Sequence, residues 1–150
     1  MQRRIVPHII DGRQDLCCIS PAITVREAAQ LLRDRRIGAL LVLEGKRLCG
    51  IITERDITYK LVADGRDPDS VRVGEIMTRD PVTVRPDQTA AEAVDIMKEG
   101  GFRHVPVVDG ERLVGIVSLR DLYEALRKSL EEDLQDVESF IQGEAYGVAG

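Results

Sequence analysis

Two stretches of this chain share one pattern, GIITERD at residues 50–56 and GIVSLRD at residues 115–121. Each stretch leads from an apolar segment, through a glycine, to a hydroxyl residue and then to an aspartate three positions later. A hydroxyl followed at that spacing by a carboxylate is typical of a helix N-terminus. The pattern therefore predicts a buried strand that ends directly in a helix, and it predicts this twice.

The repetition extends well beyond these two stretches. Residues 24–57 align with residues 89–122 without a gap, and 11 of the 34 aligned positions are identical. Two copies are too few for a solenoid, which stacks three or more units. We therefore expect the copies to fold against each other as a pseudo-symmetric pair, with related clefts where they meet.

Each copy is predicted to form strand, helix, strand, strand and helix, which gives an α/β fold. The opening strands are predicted at 16–19 and 81–84, and the first helices begin at the hydroxyl caps of Thr24 and Thr89. The apolar runs 39–43 and 104–108 end in Glu-Gly and Asp-Gly turns, which predict hairpins to return strands at 48–52 and 113–117. Residues 1–65 are assigned to an extended N-terminal arm (1–14) and repeat 1, residues 66–78 to a polar linker, and residues 79–128 to repeat 2.

A long amphipathic helix is predicted at the C-terminal end, from about 119 to 141, with residues 129–150 as a helical extension and tail. Its apolar residues recur every three or four positions, at Leu122, Leu126, Leu130, Leu134, Val137 and Ile141. Repeat 1 has no counterpart for most of this stripe. We expect these apolar side chains to pack against another surface. A second subunit is the first choice, and the alternatives are the same chain and a partner protein.

Composition and motif content exclude several classes of function. A net charge of −5 and an aromatic content of 3% argue against nucleic-acid binding. No apolar run has the length of a membrane span, and the three cysteines lack the spacing of a disulfide framework. These features predict a cytoplasmic protein without membrane contact. The chain lacks a nucleophile elbow, a P-loop and a metal-ligand cluster, so neither an enzyme nor a metal site is expected.

The paired hydroxyl and aspartate allow two interpretations from the residues alone. In the first, they cap their helices and satisfy free backbone amides. In the second, the helix N-terminus receives an anionic ligand and the aspartate accepts the hydroxyls of a ribose. The first helix of each repeat has glutamate at the equivalent position. Because glutamate reaches back to its own cap more easily, the aspartate favours the ligand slightly.

Over about residues 14–128 the chain resembles a tandem pair of CBS domains, an arrangement called a Bateman module. The text that carries the resemblance is TVREAAQLL and RIGALLVLEGKRLCGIITERDI in the first copy, and DPVTVRPDQTAAEAVDIM and GGFRHVPVVDGERLVGIVSLRDL in the second. The resemblance implies two repeats packed through their sheets, with two clefts that take adenosine ligands. Members of the family commonly form homodimers through helical faces, and a homodimer is expected here.

The resemblance also implies which residues bind the ligand, because each cleft combines the hydroxyl and aspartate of one repeat with apolar residues of the other. The first cleft would comprise Ser118, Asp121, Cys18, Ile37 and Ala39. The second would comprise Thr53, Asp56, Thr83, Phe102 and Val105. Phosphates would be reached by Arg103 and His104, whereas Arg55 and Arg120 would either reach phosphate or pair with helix carboxylates.

The resulting functional hypothesis is a regulatory sensor of AMP, ADP or ATP whose ligand state shifts a dimer or conformational equilibrium read by an unidentified partner. Two alternatives stay open, a ligand-free interaction and dimerisation module and a binder of S-adenosylmethionine or NAD(H). Repeat 1 has Gly38 and Ala39 where repeat 2 has Arg103 and His104. The two clefts are therefore expected to be unequal, with the stronger one at Asp121.

Overall fold

The structure is a computed structural model that describes residues 3–12 and 14–149, with side chains described up to residue 143. Repeat 1 comprises β1 (Cys18–Ile19), α1 (Val25–Arg35), β2 (Ala39–Glu44), β3 (Arg47–Thr53) and α2 (Glu54–Ile57), which continues into a π-helical turn (Thr58–Val62). A connecting segment forms α3 (Val73–Ile76) and β4 (Thr78–Arg79). Repeat 2 comprises α4 (Ala90–Gly100), β5 (His104–Asp109), β6 (Arg112–Ser118) and α5 (Leu119–Ala149). This is the predicted α/β repeat.

The two sheets differ at their opening strands, and one proline accounts for the difference. In repeat 1 the order is β1-β2-β3-β4, with β1 parallel to β2. In repeat 2 only β5 and β6 form a sheet, and Val84 makes a single parallel bridge to Val107. The next bond of that ladder would need an N–H from Pro106, which has none, whereas Leu41 occupies the equivalent place in repeat 1. The predicted strand at 81–84 is therefore wrong, and the one at 16–19 is shortened to β1.

The central strands are buried on both faces, which explains their continuous apolar runs. Leu40 and Val42 of β2 face the helices of repeat 1, where they pack with Val25 and Ala28. Side chains alternate along a strand, so Ala39 and Leu41 point to the opposite face. Both are buried there, on the side where repeat 2 lies and the clefts form. The sheets thus place the ends of β2, β3, β5 and β6 around one seam.

The N-terminal arm is coiled rather than extended, so that prediction is wrong. Residues Ile5–Ile9 form one turn, in which Val6 keeps extended backbone angles, closed by a hydrogen bond from the Ile10 amide to the Ile5 carbonyl. The turn brings both Ile5 and Ile10 into the core of repeat 2. Backbone bonds from the Ile5 amide to Gln88 and from the Ala90 amide to Arg3 fasten the arm at the start of α4. Residues 3–10 thereby complete the core of the second repeat.

The segment 66–78, predicted as a linker, packs on repeat 1. Val73, Ile76 and Met77 are buried in the core of that repeat, and β4 pairs with β3 opposite Gly50 and Ile51. A Cβ on Gly50 would lie 2.5 Å from the Met77 sulfur. The glycine therefore allows this segment to approach the sheet.

Helix α5 is longer than predicted and continues to Ala149. Its first turns are buried against repeat 2, through Leu122 and Ala125. Every side chain from 130 to 143 is exposed, so the described residues of the chain cover the beginning of the apolar stripe, at Leu122, but not the part from Leu130 onward. Neither this helix nor any other in the described part of the chain combines the length and apolar character needed to cross a bilayer.

Candidate functional site

Two clefts of unequal size lie at the seam between the repeats. The larger, called here the Asp121 cleft, has a volume of about 1240 Å³. Its lining comprises Gln14, Asp15, Leu16, Cys17, Arg35, Arg36, Ile37, Gly38, Ala39, Leu41, Glu54, Arg103, His104, Ile116, Ser118, Leu119, Arg120, Asp121, Tyr123, Glu124 and Arg127. The smaller, called the Asp56 cleft, has a volume of about 470 Å³. Its lining comprises Gly38, Ile51, Thr53, Glu54, Arg55, Asp56, Thr78, Asp80, Pro81, Val82, Gly100, Gly101, Phe102, Arg103 and His104.

Both helix N-termini at the clefts are closed by complete capping boxes. The Ser118 hydroxyl accepts from the Asp121 amide, and the Asp121 carboxylate oxygen Oδ2 accepts from the Ser118 amide, each at 3.1 Å. Thr53 and Asp56 form the same pair at 3.2 and 3.0 Å. Aspartate therefore reaches its own cap, so its shorter side chain gives no reason to favour a ligand. Any ligand role must come from the oxygen that the cap leaves over.

That second oxygen distinguishes the two aspartates. Asp56 is only 9% exposed, and its Oδ1 forms an ion pair with the Lys60 ammonium at 3.0 Å. In Asp121, which is exposed, no hydrogen-bond donor from the described residues reaches Oδ1. The residue at the position of Lys60 in repeat 2 is Ala125. The Asp121 cleft thus offers a free carboxylate oxygen, whereas the Asp56 cleft has its own internal counter-ion.

Positive charge is concentrated around the Asp121 cleft. Arg36, Arg103 and Arg120 line it, and none of the carboxylates in the described part of the chain lies within ion-pair distance of these three. By contrast, Arg127 is held by Glu124 at 2.5 Å. Unpaired guanidinium groups at the rim of a cleft are suited to bind phosphate oxygens, because their fork geometry permits two parallel hydrogen bonds.

His104 occupies the junction of the two clefts. Its side chain lines both, and a Cβ on Gly38 would lie 3.2 Å from the imidazole Cε1 and Nε2 atoms. The lack of a side chain at Gly38 therefore makes room for the ring. Burial lowers the pKa of the His104 imidazole, and Arg103 adds to this effect, while the carboxylates of Glu54 and Asp121 oppose it. Around neutral pH the ring is thus biased towards its uncharged form.

The structure brings most of the predicted site residues together. In the Asp121 cleft these are Ser118, Asp121, Arg120, Ile37 and Ala39. In the Asp56 cleft they are Thr53, Asp56, Arg55 and Phe102. Both clefts contain Arg103 and His104. The Arg55 guanidinium donates to the Gly101 carbonyl at 3.0 Å, so it joins the repeats instead of pairing with a helix carboxylate.

Three of the predicted residues lie outside the clefts. Cys18 sits in β1 with its side chain directed away, so its neighbour Cys17 lines the Asp121 cleft instead. Thr83 is replaced at the Asp56 cleft by Val82, because the segment there is not a strand and side chains do not alternate as predicted. Val105 is fully buried among the helices of repeat 2.

Sequence reasoning missed Arg35 and Arg36 as cleft residues. Arg36 ends α1 with a positive φ of 54°, and this left-handed turn leads directly into Ile37 and the cleft. The aligned positions in repeat 2 are Gly100 and Gly101. That contrast of two arginines with two glycines in otherwise matching text was the feature that could have identified them.

The cysteines and histidines form no metal site among the residues that the structure describes. Cys49 is buried, and burial raises the pKa of its thiol. Burial also raises the pKa of Cys18, with a further contribution from the adjacent Cys17. Thiols with raised pKa values are poor nucleophiles at neutral pH, so these groups give no support to thiol chemistry.

Comparison with known proteins identifies the family. The model of the CBS domain matches residues 6–63 and again residues 73–128. A mitochondrial CBS domain-containing protein of Arabidopsis thaliana is 36% identical over 80% of this chain and 61% of its own length. The CBS domain-containing protein YhcV of Bacillus subtilis is 38% identical over 69% of this chain and 74% of its own length. A solved CBS-domain protein of Agrobacterium tumefaciens superposes with a TM-score of 0.75 at 32% identity, covering 81% of this chain and 98% of that one.

This chain belongs to the CBS-domain family, and its two domains form a CBS pair, which is a regulatory module. The chain spans between 61 and 66% of the length of three of the curated relatives that it matches. The family assignment agrees with the pseudo-symmetric pair expected from the repeat of residues 24–57 at 89–122.

Proposed function

We propose that this CBS pair is a sensor of AMP, ADP or ATP, and that it binds one nucleotide per chain in the Asp121 cleft. The observation that carries the proposal is the free Oδ1 of Asp121, placed beside unpaired arginines in a cleft of about 1240 Å³. A carboxylate oxygen can accept the hydroxyls of a ribose, and such bonds to a charged group are stronger than neutral ones.

The lining also offers places for the rest of a nucleotide. Ile37, Ala39 and Leu41 provide an apolar wall for adenine. Arg36 and Arg103 supply charge for the phosphates, and the amide of Arg120 lies in the first turn of α5, where free N–H groups favour anions. The arrangement thus provides for base, sugar and phosphate within one cleft.

The Asp56 cleft lacks a free carboxylate oxygen, because Lys60 is paired with the oxygen of Asp56 that would accept the ribose hydroxyls. Its size is within the range of small-molecule sites, so electrostatics and not volume makes it the poorer site. One nucleotide per chain is therefore the expected stoichiometry.

Ligand binding at the seam would act on both repeats at once. A nucleotide in the Asp121 cleft would contact residues of β2 in repeat 1 and of α5 in repeat 2, and would thereby bias their relative placement. The regulatory output would be a shift in a conformational or homodimer equilibrium that a partner protein reads.

Isothermal titration of the chain with AMP, ADP, ATP, NADH and S-adenosylmethionine tests this proposal. We expect one site for an adenine nucleotide, and a loss of about 10-fold or more in Asp121→Asn, because the neutral amide is a weaker acceptor. The matched control is Asp56→Asn, which should leave affinity within about two-fold. Equal losses in both variants would contradict the assignment of the cleft.

The titration also separates the alternatives. Preference for S-adenosylmethionine, which is a cation, would contradict the role given to the arginines. Preference for NADH would retain the cleft but change the ligand. Absence of binding to all five compounds would favour a ligand-free interaction module.

A further inference from the structure

The exposed part of α5 combines a continuous apolar stripe with strong negative charge. The stripe is formed by Leu130, Leu134, Val137, Phe140 and Ile141, which are between 54 and 67% exposed. A contiguous apolar surface of this kind is unusual on a soluble monomer and marks an interaction surface. Its helical spacing fits a second helix lying alongside.

The charge of the whole chain is concentrated in this extension. Residues 129–150 contain six acidic residues and no basic one, so this segment has a net charge of −6. The net charge of the whole chain is −5, so residues 1–128 have a net charge of +1. Two of the six are already paired, Glu132 with Arg3 at 2.6 Å and Glu131 with Arg127 at 2.7 Å. For Asp133, Asp136 and Glu138 no basic group in the described part of the chain lies within ion-pair distance.

The unpaired carboxylates flank the stripe on both sides. At 100° per residue, Glu138 lies on one edge of the stripe beside Leu134, and Asp133 lies on the other side, about 20° from Phe140 and one heptad before it. In a parallel pair of two copies, Asp133 would face Glu138 of the second copy, and in an antiparallel pair each acidic edge would face the same acidic edge. Flanking charges set partner choice in paired helices, so this stripe disfavours a second copy of itself.

We propose that the exposed part of α5 is a docking surface for an amphipathic helix of a different protein, with apolar residues at helical spacing and Lys or Arg on both flanks. The contact of Arg3 with Ser129 and Glu132 fastens α5 to the body at the point where the exposed stripe begins. From 130 to 143 the helix then presents about 20 Å of exposed length. This proposal goes beyond the nucleotide site and does not depend on it.

Three synthetic peptides test the proposal against the full chain by fluorescence anisotropy. The first has the sequence of residues 126–149 with its six acidic residues replaced by lysine. The second has the unaltered sequence, and the third is the basic peptide with its stripe residues replaced by serine. We expect the basic peptide to bind at least about 10-fold more tightly than either of the others, and its affinity to fall as salt screens the flanks.

Two variants of the chain locate the binding. Leu134→Ser with Val137→Ser should abolish binding of the basic peptide, whereas Val62→Ser, an exposed apolar residue of repeat 1, should leave it unchanged. Asp133→Lys with Glu138→Lys should weaken the basic peptide by about 10-fold and strengthen the unaltered acidic one. These positions are exposed, and circular dichroism of each variant verifies that the chain is folded.

The opposite results would overturn the proposal. Equal binding of the basic peptide without its stripe would mean that charge alone attracts it and that no docking surface exists. Tighter binding of the unaltered peptide, or a chain dimer that dissociates when residues 129–150 are removed, would identify a second copy as the occupant. Sedimentation of the full and truncated chains gives that last result independently.

Discussion

Replacing Lys60 by alanine should convert the Asp56 cleft into a second nucleotide site. The substitution copies Ala125, the residue at the same position in repeat 2. It removes the ion pair from Lys60 Nζ to Asp56 Oδ1 and the bond from Nζ to the Ile76 carbonyl, both at 3.0 Å. Oδ1 of Asp56 then becomes available, as Oδ1 of Asp121 already is.

The size of the effect follows from what the carboxylate gains. A hydrogen bond to a charged acceptor contributes about 1.5–3 kcal/mol, which corresponds to about 10- to 150-fold in affinity. The cost in fold stability should be small, about 1–2 kcal/mol, because the Lys60 side chain is 47% exposed and ion pairs at such positions are weak. The chain should therefore stay folded while the second cleft opens.

Isothermal titration with AMP measures the outcome as stoichiometry. We expect a change from one to two nucleotides per chain in Lys60→Ala, and a return to one when Asp56→Asn is added. Lys98→Ala, an exposed lysine of α4, is the matched control and should bind as the unaltered chain does. A folded Lys60→Ala chain that still binds one nucleotide, or an unaltered chain that binds two, would refute the role given to Lys60.

Four further predictions concern charge and packing. Arg36→Gln should weaken AMP by about 10-fold but leave adenosine nearly unchanged, which titration at low and high salt can measure. Burial lowers the pKa of His104 in the folded state, so its contribution to the free energy of unfolding is complete above a pH of about 6.5 and is lost as the pH falls through the folded-state pKa. His104→Asn should therefore make the free energy of unfolding, measured with urea, fall less steeply with decreasing pH. Gly50→Ala should cost about 1–3 kcal/mol in thermal unfolding, since the new Cβ would lie 2.9 Å from the Thr78 backbone oxygen. Ile5→Ala should cost about 2–5 kcal/mol by the same measurement, because the side chain is fully buried.

The repeat made most of the fold predictable from the sequence. Because the two copies have matching sequences, they predict matching elements. The apolar runs predicted the central strands, the Glu-Gly and Asp-Gly pairs predicted the hairpin turns, and Thr24 and Thr89 predicted the helix caps. The failures came from interactions between distant residues. The missing N–H that shortens the opening strand of repeat 2 belongs to Pro106, on another strand, and the coiling of the arm depends on a core that lies about eighty residues away in sequence.

The candidate site was predictable in outline and not in its asymmetry. The Ser/Thr-x-x-Asp pattern located both clefts, because capping geometry is local. Lys60 was missed because its role depends on the contact between its ammonium and the Asp56 carboxylate, which only the folded helix shows. Arg36 was missed because the positive φ that turns the chain into the Asp121 cleft at the end of α1 cannot be predicted from the pattern of apolar and polar side chains.

The fastening of the arm has a consequence for how the protein melts. Residues 3–10 belong by sequence to the first half of the chain but supply Ile5 and Ile10 to the core of the second. Neither half can therefore lose its structure without disturbing the other, and unfolding should occur as a single cooperative transition. During synthesis the arm emerges before α4 and β6 and has no surface to pack on until they follow, so the second half can close only after nearly the entire pair has been made.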